Sequence, residues 1–198
     1  MEKQSRIVRF VEQVYRLVIG SLLYWKTRVF SGGLYGFVDA ADNLRAFLSS
    51  GEPTGAEKIE SLPYRKLLSF IWCVLFSVVL AGYLLIGKGK GSEMTLFLWI
   101  MITMAFVLYH IFLVTLVVLD KENERILSNG LLYAHALDHM FRNPTKSLYI
   151  LVLSVSALLI GFFNLILFVF LVPSLYWWLL TKGMGQQKKQ PKIVAGST

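Results

Sequence analysis

Hydrophobic and polar positions fall in long blocks along this chain. The longest apolar block, Ser147 to Thr181, runs thirty-five residues without an Asp, Glu, Lys or Arg. As one straight helix it would be roughly 50 Å long, well over the ~30 Å hydrocarbon core of a bilayer. A single straight pass does not fit, so the block is expected to break at Gly161-Phe162-Phe163-Asn164. There glycine weakens the helix and asparagine serves the freed backbone groups. Leu67 to Gly87 and Met94 to Leu119 are predicted spans joined by a tight turn, Lys88 to Glu93. The second span holds Tyr109 and His110, and a lone histidine there reads as hydrogen-bonded between helices.

Earlier in the chain the blocks are shorter. Phe10 to Trp25 is apolar apart from Glu12, Gln13 and Arg16 at its start. Tyr24 and Trp25, followed by Lys26 and Arg28, have the composition of an interface anchor, and a turn is predicted over Lys26 to Gly33. Val29 to Ser49 then begins apolar and ends half polar, with Asp39, Asp42 and Arg45 on a helical spacing. Asp42 and Arg45 are three apart and share a helix face. Either this half emerges into water, or it is a polar helix packed inside the bundle, because ionised groups in lipid are expensive. Gly51, Pro53 and Gly55 mark the following stretch as a loop.

Asp120 to Lys146 is polar overall but patterned. Ile126, Leu127, Leu131, Ala134, Leu137 and Phe141 recur at threes and fours, the signature of an amphipathic helix. Pro144 stops it, since the residue before a proline avoids the helical region. The stripe is the expected partner-binding face, able to lie on a lipid interface or dock on another protein.

The distribution of Lys and Arg selects a topology, because basic residues favour the cytoplasmic side. If residues 9 to 49 and 147 to 181 each cross once, giving four passes, ten basic residues fall on one side and eight on the other. If each folds as a hairpin, giving six passes, sixteen lie inside and only Lys26, Arg28, Lys88 and Lys90 outside. The expectation is therefore an all-α polytopic membrane protein of about six short helices, with both termini cytoplasmic and four passes as the alternative. Residues 1 to 182 form one transmembrane helical domain, and 183 to 198 a disordered basic tail with Lys188, Lys189 and Lys192.

Composition agrees with this. Of 198 residues 56% are hydrophobic and 16% charged, against about 25% charged in soluble proteins. The formal charge of +8 flanks apolar runs, where it serves orientation and lipid contact, so nucleic acid is not an expected partner. The lone cysteine, Cys73, sits in an apolar run and reads as a small buried hydrophobe. Lys3, Arg6 and Arg9 resemble the start of a signal peptide, but Glu12 and Arg16 interrupt it and no small-residue cleavage site follows, so the segment is expected to be retained.

Motifs for phosphate binding, serine hydrolysis, zinc proteolysis and dithiol chemistry are missing. His135, Asp138 and His139 lie close on one helix, but ligands from a single surface helix lack a closed metal geometry, so neither metal nor cofactor is expected. The polar intramembrane candidates are Asp39, Asp42, Arg45, His110 and Asn164. Gly32, Gly33 and Gly36 offer a close helix contact.

Two stretches carry a resemblance. Tyr15-Arg-Leu-Val-Ile-Gly-Ser-Leu-Leu-Tyr-Trp, a glycine turn, Leu34-Tyr-Gly-Phe-Val-Asp-Ala-Ala-Asp-Asn-Leu-Arg and a Gly51-Glu52 loop resemble the start of the YesL-like bacterial membrane proteins. Ile126-Leu-Ser-Asn-Gly-Leu-Leu-Tyr-Ala-His-Ala-Leu, then Phe141-Arg-Asn-Pro-Thr-Lys, is similar to that family's last cytoplasmic segment. The chain departs from the family pattern at Ser21, where asparagine is usual, and in the Lys26 to Gly33 turn. The resemblance implies a multi-pass protein of a bacterial plasma membrane associated with carbohydrate ABC importers, and it brings no catalytic residues. The expected function is a non-enzymatic accessory subunit that binds permease subunits and lipid. The alternative is a small homo-oligomeric secondary transporter or channel.

Overall fold

Among the described residues three helices are long and apolar enough to cross a membrane, and their lengths follow the uncharged runs of the sequence. The computed structural model describes residues 6–30, 36–50, 65–88, 92–122 and 129–184, and all regular structure among them is helical. The elements are α1 (Arg6–Phe30), α2 (Phe37–Ser50), α3 (Arg65–Gly87), α4 (Glu93–Glu122), α5 (Asn129–Arg142), α6 (Pro144–Phe163), α7 (Leu165–Phe170) and α8 (Val172–Met184). The membrane-crossing candidates are α3, α4 over Glu93–Leu119, and α6.

Eight helices among the described residues replace the expected six or so. α5 stands apart from the spans, and the last apolar arm is split at Leu171. Pro173 explains the split. In a continuous helix its N–H would bond the carbonyl of Val169, and proline has none. The indole of Trp25 donates to that carbonyl instead, at 2.9 Å. The break expected over Gly161 to Asn164 falls at Asn164, whose Oδ1 accepts from the backbone N–H of Leu167 and caps α7. The first turn is corrected: α1 continues through Lys26 and Arg28 to Phe30, so these two cations are helical rather than part of a turn. Gly32 and Gly33, like Ile126, Leu127 and the tail beyond Met184, lie outside the described residues.

Successive helices pair in antiparallel fashion. Arg16 of α1 reaches Phe47 and Leu48 of α2, while Tyr109 of α4 bonds Leu68 of α3 and Trp99 bonds Val79. Tyr149 of α6 bonds Leu179 of α8. These contacts gather the start of α1, the end of α2, the start of α3, the end of α4, α5, the start of α6 and the end of α8 at one end of the bundle.

Three arginines fasten that end. Arg16 donates to the carbonyls of Phe47 and Leu48 at 3.1 and 2.8 Å, two of the four that an α2 ending at Ser50 leaves unpaired. Arg45 of α2 donates to Val117 and Val118 in the closing turns of α4, at 2.7 and 2.8 Å. Arg65, only 6% exposed, pairs with Asp42 at 2.7 Å and Asp39 at 3.5 Å. The polar half of α2 therefore packs inside the bundle rather than emerging into water.

The core lies next to this clasp. Val38, Ala41 and Leu44 of α2 meet Leu113, Val114 and Val117 of α4, Ile150 of α6, and Trp177 and Leu180 of α8. At Gly20 of α1, side chains of both α2 and α8 close in. A Cβ there would stand 2.6 Å from Ser174 Oγ and 2.9 Å from Leu44 Cδ1, both fully buried. Away from the clasp, α3 past Cys73, α4 before Ile111, α6 past Ile150 and the whole of α7 contain no buried residue. The α3–α4 and α6–α7 pairs thus project from the core as two apolar arms.

Two substitutions test this arrangement by thermal unfolding in detergent. Arg65→Ala leaves two part-buried carboxylates without their cation and is expected to cost about 3–5 kcal/mol. Gly20→Val forces the three-helix contact apart and is expected to cost about 1–3 kcal/mol. A Tm unchanged by either would show that the clasp or the contact contributes little.

Candidate functional site

The arms meet the core around a cavity of about 490 Å³. The end of α1 contributes Tyr24, Trp25 and Arg28, α2 contributes Phe37, and α3 and α4 contribute Trp72, Phe76, Phe106 and His110. The facing wall is Ser154, Val155 and Leu158 of α6 with Phe168, Pro173 and Tyr176. The lining is largely aromatic, with a few polar groups pointing inward, the usual composition of a ligand pocket.

Trp72 lies seven residues into α3, about 10 Å along the helix from the clasp and about 22 Å from Gly87. Its ring stacks on Phe37 at 4.7 Å and on Phe76 at 5.5 Å. Its indole N–H donates to His110 Nδ1 at 3.0 Å. An indole nitrogen only donates, so Nδ1 is an acceptor and the histidine is the neutral Nε2–H tautomer. Nε2–H then donates to Ser154 Oγ at 2.9 Å, and Tyr176 lies 3.0 Å from the same oxygen. The serine hydroxyl proton is committed to the carbonyl of Ile150 at 2.8 Å, so Tyr176 donates to Ser154. This chain of bonds joins α3, α4, α6 and α8, the bonding between helices that the sequence led us to expect of His110.

Arg28 stands at the edge of the cavity in the last turn of α1. Its guanidinium lies over Trp25 at 5.5 Å and Trp72 at 5.7 Å, with the Tyr24 hydroxyl 3.5 Å away. Insertion measurements put the penalty for an arginine at mid-bilayer at about 2.5–3.5 kcal/mol. Two desolvated cation–π contacts of about 1–2 kcal/mol each are of the same order. The tryptophans therefore hold the cation in place, but ring faces do not accept its in-plane N–H groups. Among the described residues no carboxylate pairs with it and only Tyr24 accepts from it.

The sequence-derived candidates fall in three places. Asp39, Asp42 and Arg45 belong to the clasp, His110 to the cavity, and Asn164 to the exposed α6–α7 joint. They do not form one route. Arg28 was assigned to a turn by its neighbours Lys26 and Gly32. The overlooked signal was Trp25 three residues before it, which places an aromatic face within one helical turn. Cys73 is buried, as expected. Asp138 pairs with Arg142 at 2.8 Å, and His139 Nε2 lies 3.3 Å from Lys146 Nζ.

On α5 the apolar positions divide into two stripes. Leu132, Ala136 and Met140 are buried, with Leu132 and Ala136 against Leu116 and Leu119 of α4. The sequence-derived stripe turns outward: Leu131 is 57% exposed, Leu137 44% and Phe141 73%, with Ala134 exposed between them.

No protein-family model, curated protein or solved structure matches the chain.

The tautomer is directly measurable. Two-bond NMR correlations of isotopically labelled histidine should show one buried ring with hydrogen on Nε2. Trp72→Phe, which removes the indole donor, should admit the other tautomer and cost about 1–3 kcal/mol of stability. An Nδ1–H form in the unaltered protein would contradict the network.

Proposed function

We propose that the chain is a non-enzymatic accessory subunit of a membrane complex, seated in a bacterial plasma membrane with both termini cytoplasmic. In this reading α3, α4 and α6 cross, α7 and α8 return together as one broken helix, and α1 and α2 enter as a hairpin from the clasp side. The clasp side is cytoplasmic because it carries the basic residues of Arg16, Arg45, Arg65, Arg142, Lys146 and Lys182. The stacking of Lys182 on Trp178, 3.8 Å from the ring centroid, suits an interface position.

The observation that carries the reading is the outer stripe of α5. The apolar arms have lipid to cover them, whereas Leu131, Leu137 and Phe141 sit exposed at the clasp end, where the lipid interface or a second protein is left to cover them. A helix that already docks one stripe on α4 and presents a second is suited to bridging two subunits. The resemblance to YesL-like proteins proposes the permease of a carbohydrate importer as that second subunit. The polar chain through His110 favours the competing reading, a homo-oligomeric transporter or channel.

Purification from native membranes separates the two. An importer permease subunit should accompany the protein and be lost from Leu137→Glu/Phe141→Glu, with Tm unchanged because both side chains are exposed. Recovery only with further copies of itself would favour the transporter. Cysteines placed at Ser49 and Ser92 test the orientation: in intact cells an impermeant thiol reagent should label the second and not the first.

A further inference from the structure

We propose that the cavity between the two arms binds an anionic lipid of the surrounding bilayer, its phosphate on Arg28 and its hydrocarbon chain in the aromatic cleft. The occupant is chosen by charge complementarity. Arg28 is held over Trp25 and Trp72 with its in-plane donors turned to no carboxylate among the described residues. A guanidinium in a low-dielectric wall recognises a phosphate through paired, charge-assisted hydrogen bonds. Phe76, Phe106, Leu158 and Phe168 supply the apolar wall, and about 490 Å³ lies within the range of small-molecule sites, roughly 300–1,000 Å³.

Access follows from the fold. Phe76, Val155 and Leu158 line the cavity and are also exposed on the outer surfaces of the arms, which the bilayer surrounds. A chain can enter sideways between α3–α4 and α6–α7 without passing through the clasp. Once there it covers apolar surface that the protein leaves open, and its head supplies the anionic acceptor that no described carboxylate gives Arg28.

The test uses the full chain in a neutral detergent, with hexadecyl phosphate as probe and native mass spectrometry as readout. One molecule should be retained per chain, and neither hexadecanol nor inorganic phosphate should be. Arg28→Gln should weaken retention by at least about tenfold, the loss of a hydrogen bond to a charged group. Ala157→Phe fills the cavity while keeping the cation and should also abolish retention, and Lys26→Gln, an exposed neighbour, should change nothing. Equal retention of hexadecanol, or full retention by a folded Arg28→Gln or Ala157→Phe protein, would overturn the proposal. So would an unaltered protein that retains no hexadecyl phosphate.

Discussion

A backbone carbonyl or N–H without a partner in hydrocarbon costs several kcal/mol, and every interruption of a membrane helix creates such groups. This chain interrupts its helices repeatedly, and at several breaks among the described residues a side chain supplies the missing partner. Ser69 of α3 accepts from Val38 N–H in the first turn of α2, and Arg16 serves carbonyls in its last. Trp25 serves Val169 above the proline break, Ser21 accepts from Ser174 N–H below it, and Asn164 caps α7 from within. Four of these five side chains belong to a different helix from the one they serve. Short helices that would be marginal alone are thereby tied into one body.

The same constraint explains why the two ends of the molecule differ. Paired charges cluster toward the clasp, so the packing is there, and Val38, Leu44, Leu113 and Ile150 are fully buried. The outer stretches of α3, α4 and α6 are continuous helix that satisfies its own backbone and needs no neighbour. They stand apart as arms whose apolar side chains face lipid, which gives no hydrophobic reason for them to close on each other. A cleft at their base results.

Much of this was legible in the sequence, for identifiable reasons. Uncharged runs fix spans because charges are expelled from lipid, so α3, α4 and α6 were placed to within a few residues. Asn164 and Pro144 mark helix ends because their effects on the backbone are local. The α1 boundary is not legible because Lys26 and Arg28 carry the charge that ordinarily signals water. Arg28 is instead held by aromatic faces, one of which arrives from α3, forty-four positions along the chain. The role of α2 is ambiguous in the sequence for the same reason, since its carboxylates answer to Arg65, twenty-three positions beyond Asp42. Gly20, with no special turn or spacing around it, gave no sign that three helices would meet there.

Arg28 and Arg65 show how differently a membrane protein can keep a cation. Arg65 is neutralised by two carboxylates of the same chain, and the pair serves the fold: removing either side leaves a charge in a poor solvent. Arg28 rests on ring faces, which stabilise a cation without consuming its hydrogen bonds. A purely structural arginine at that position would be served as well by an acid on α3 or α4, where Trp72 and His110 stand instead. The histidine is held as the neutral Nε2–H tautomer, so it adds no charge. The cavity therefore keeps a positive edge above an aromatic floor, with no carboxylate of the described residues paired to Arg28 as Asp39 and Asp42 are to Arg65.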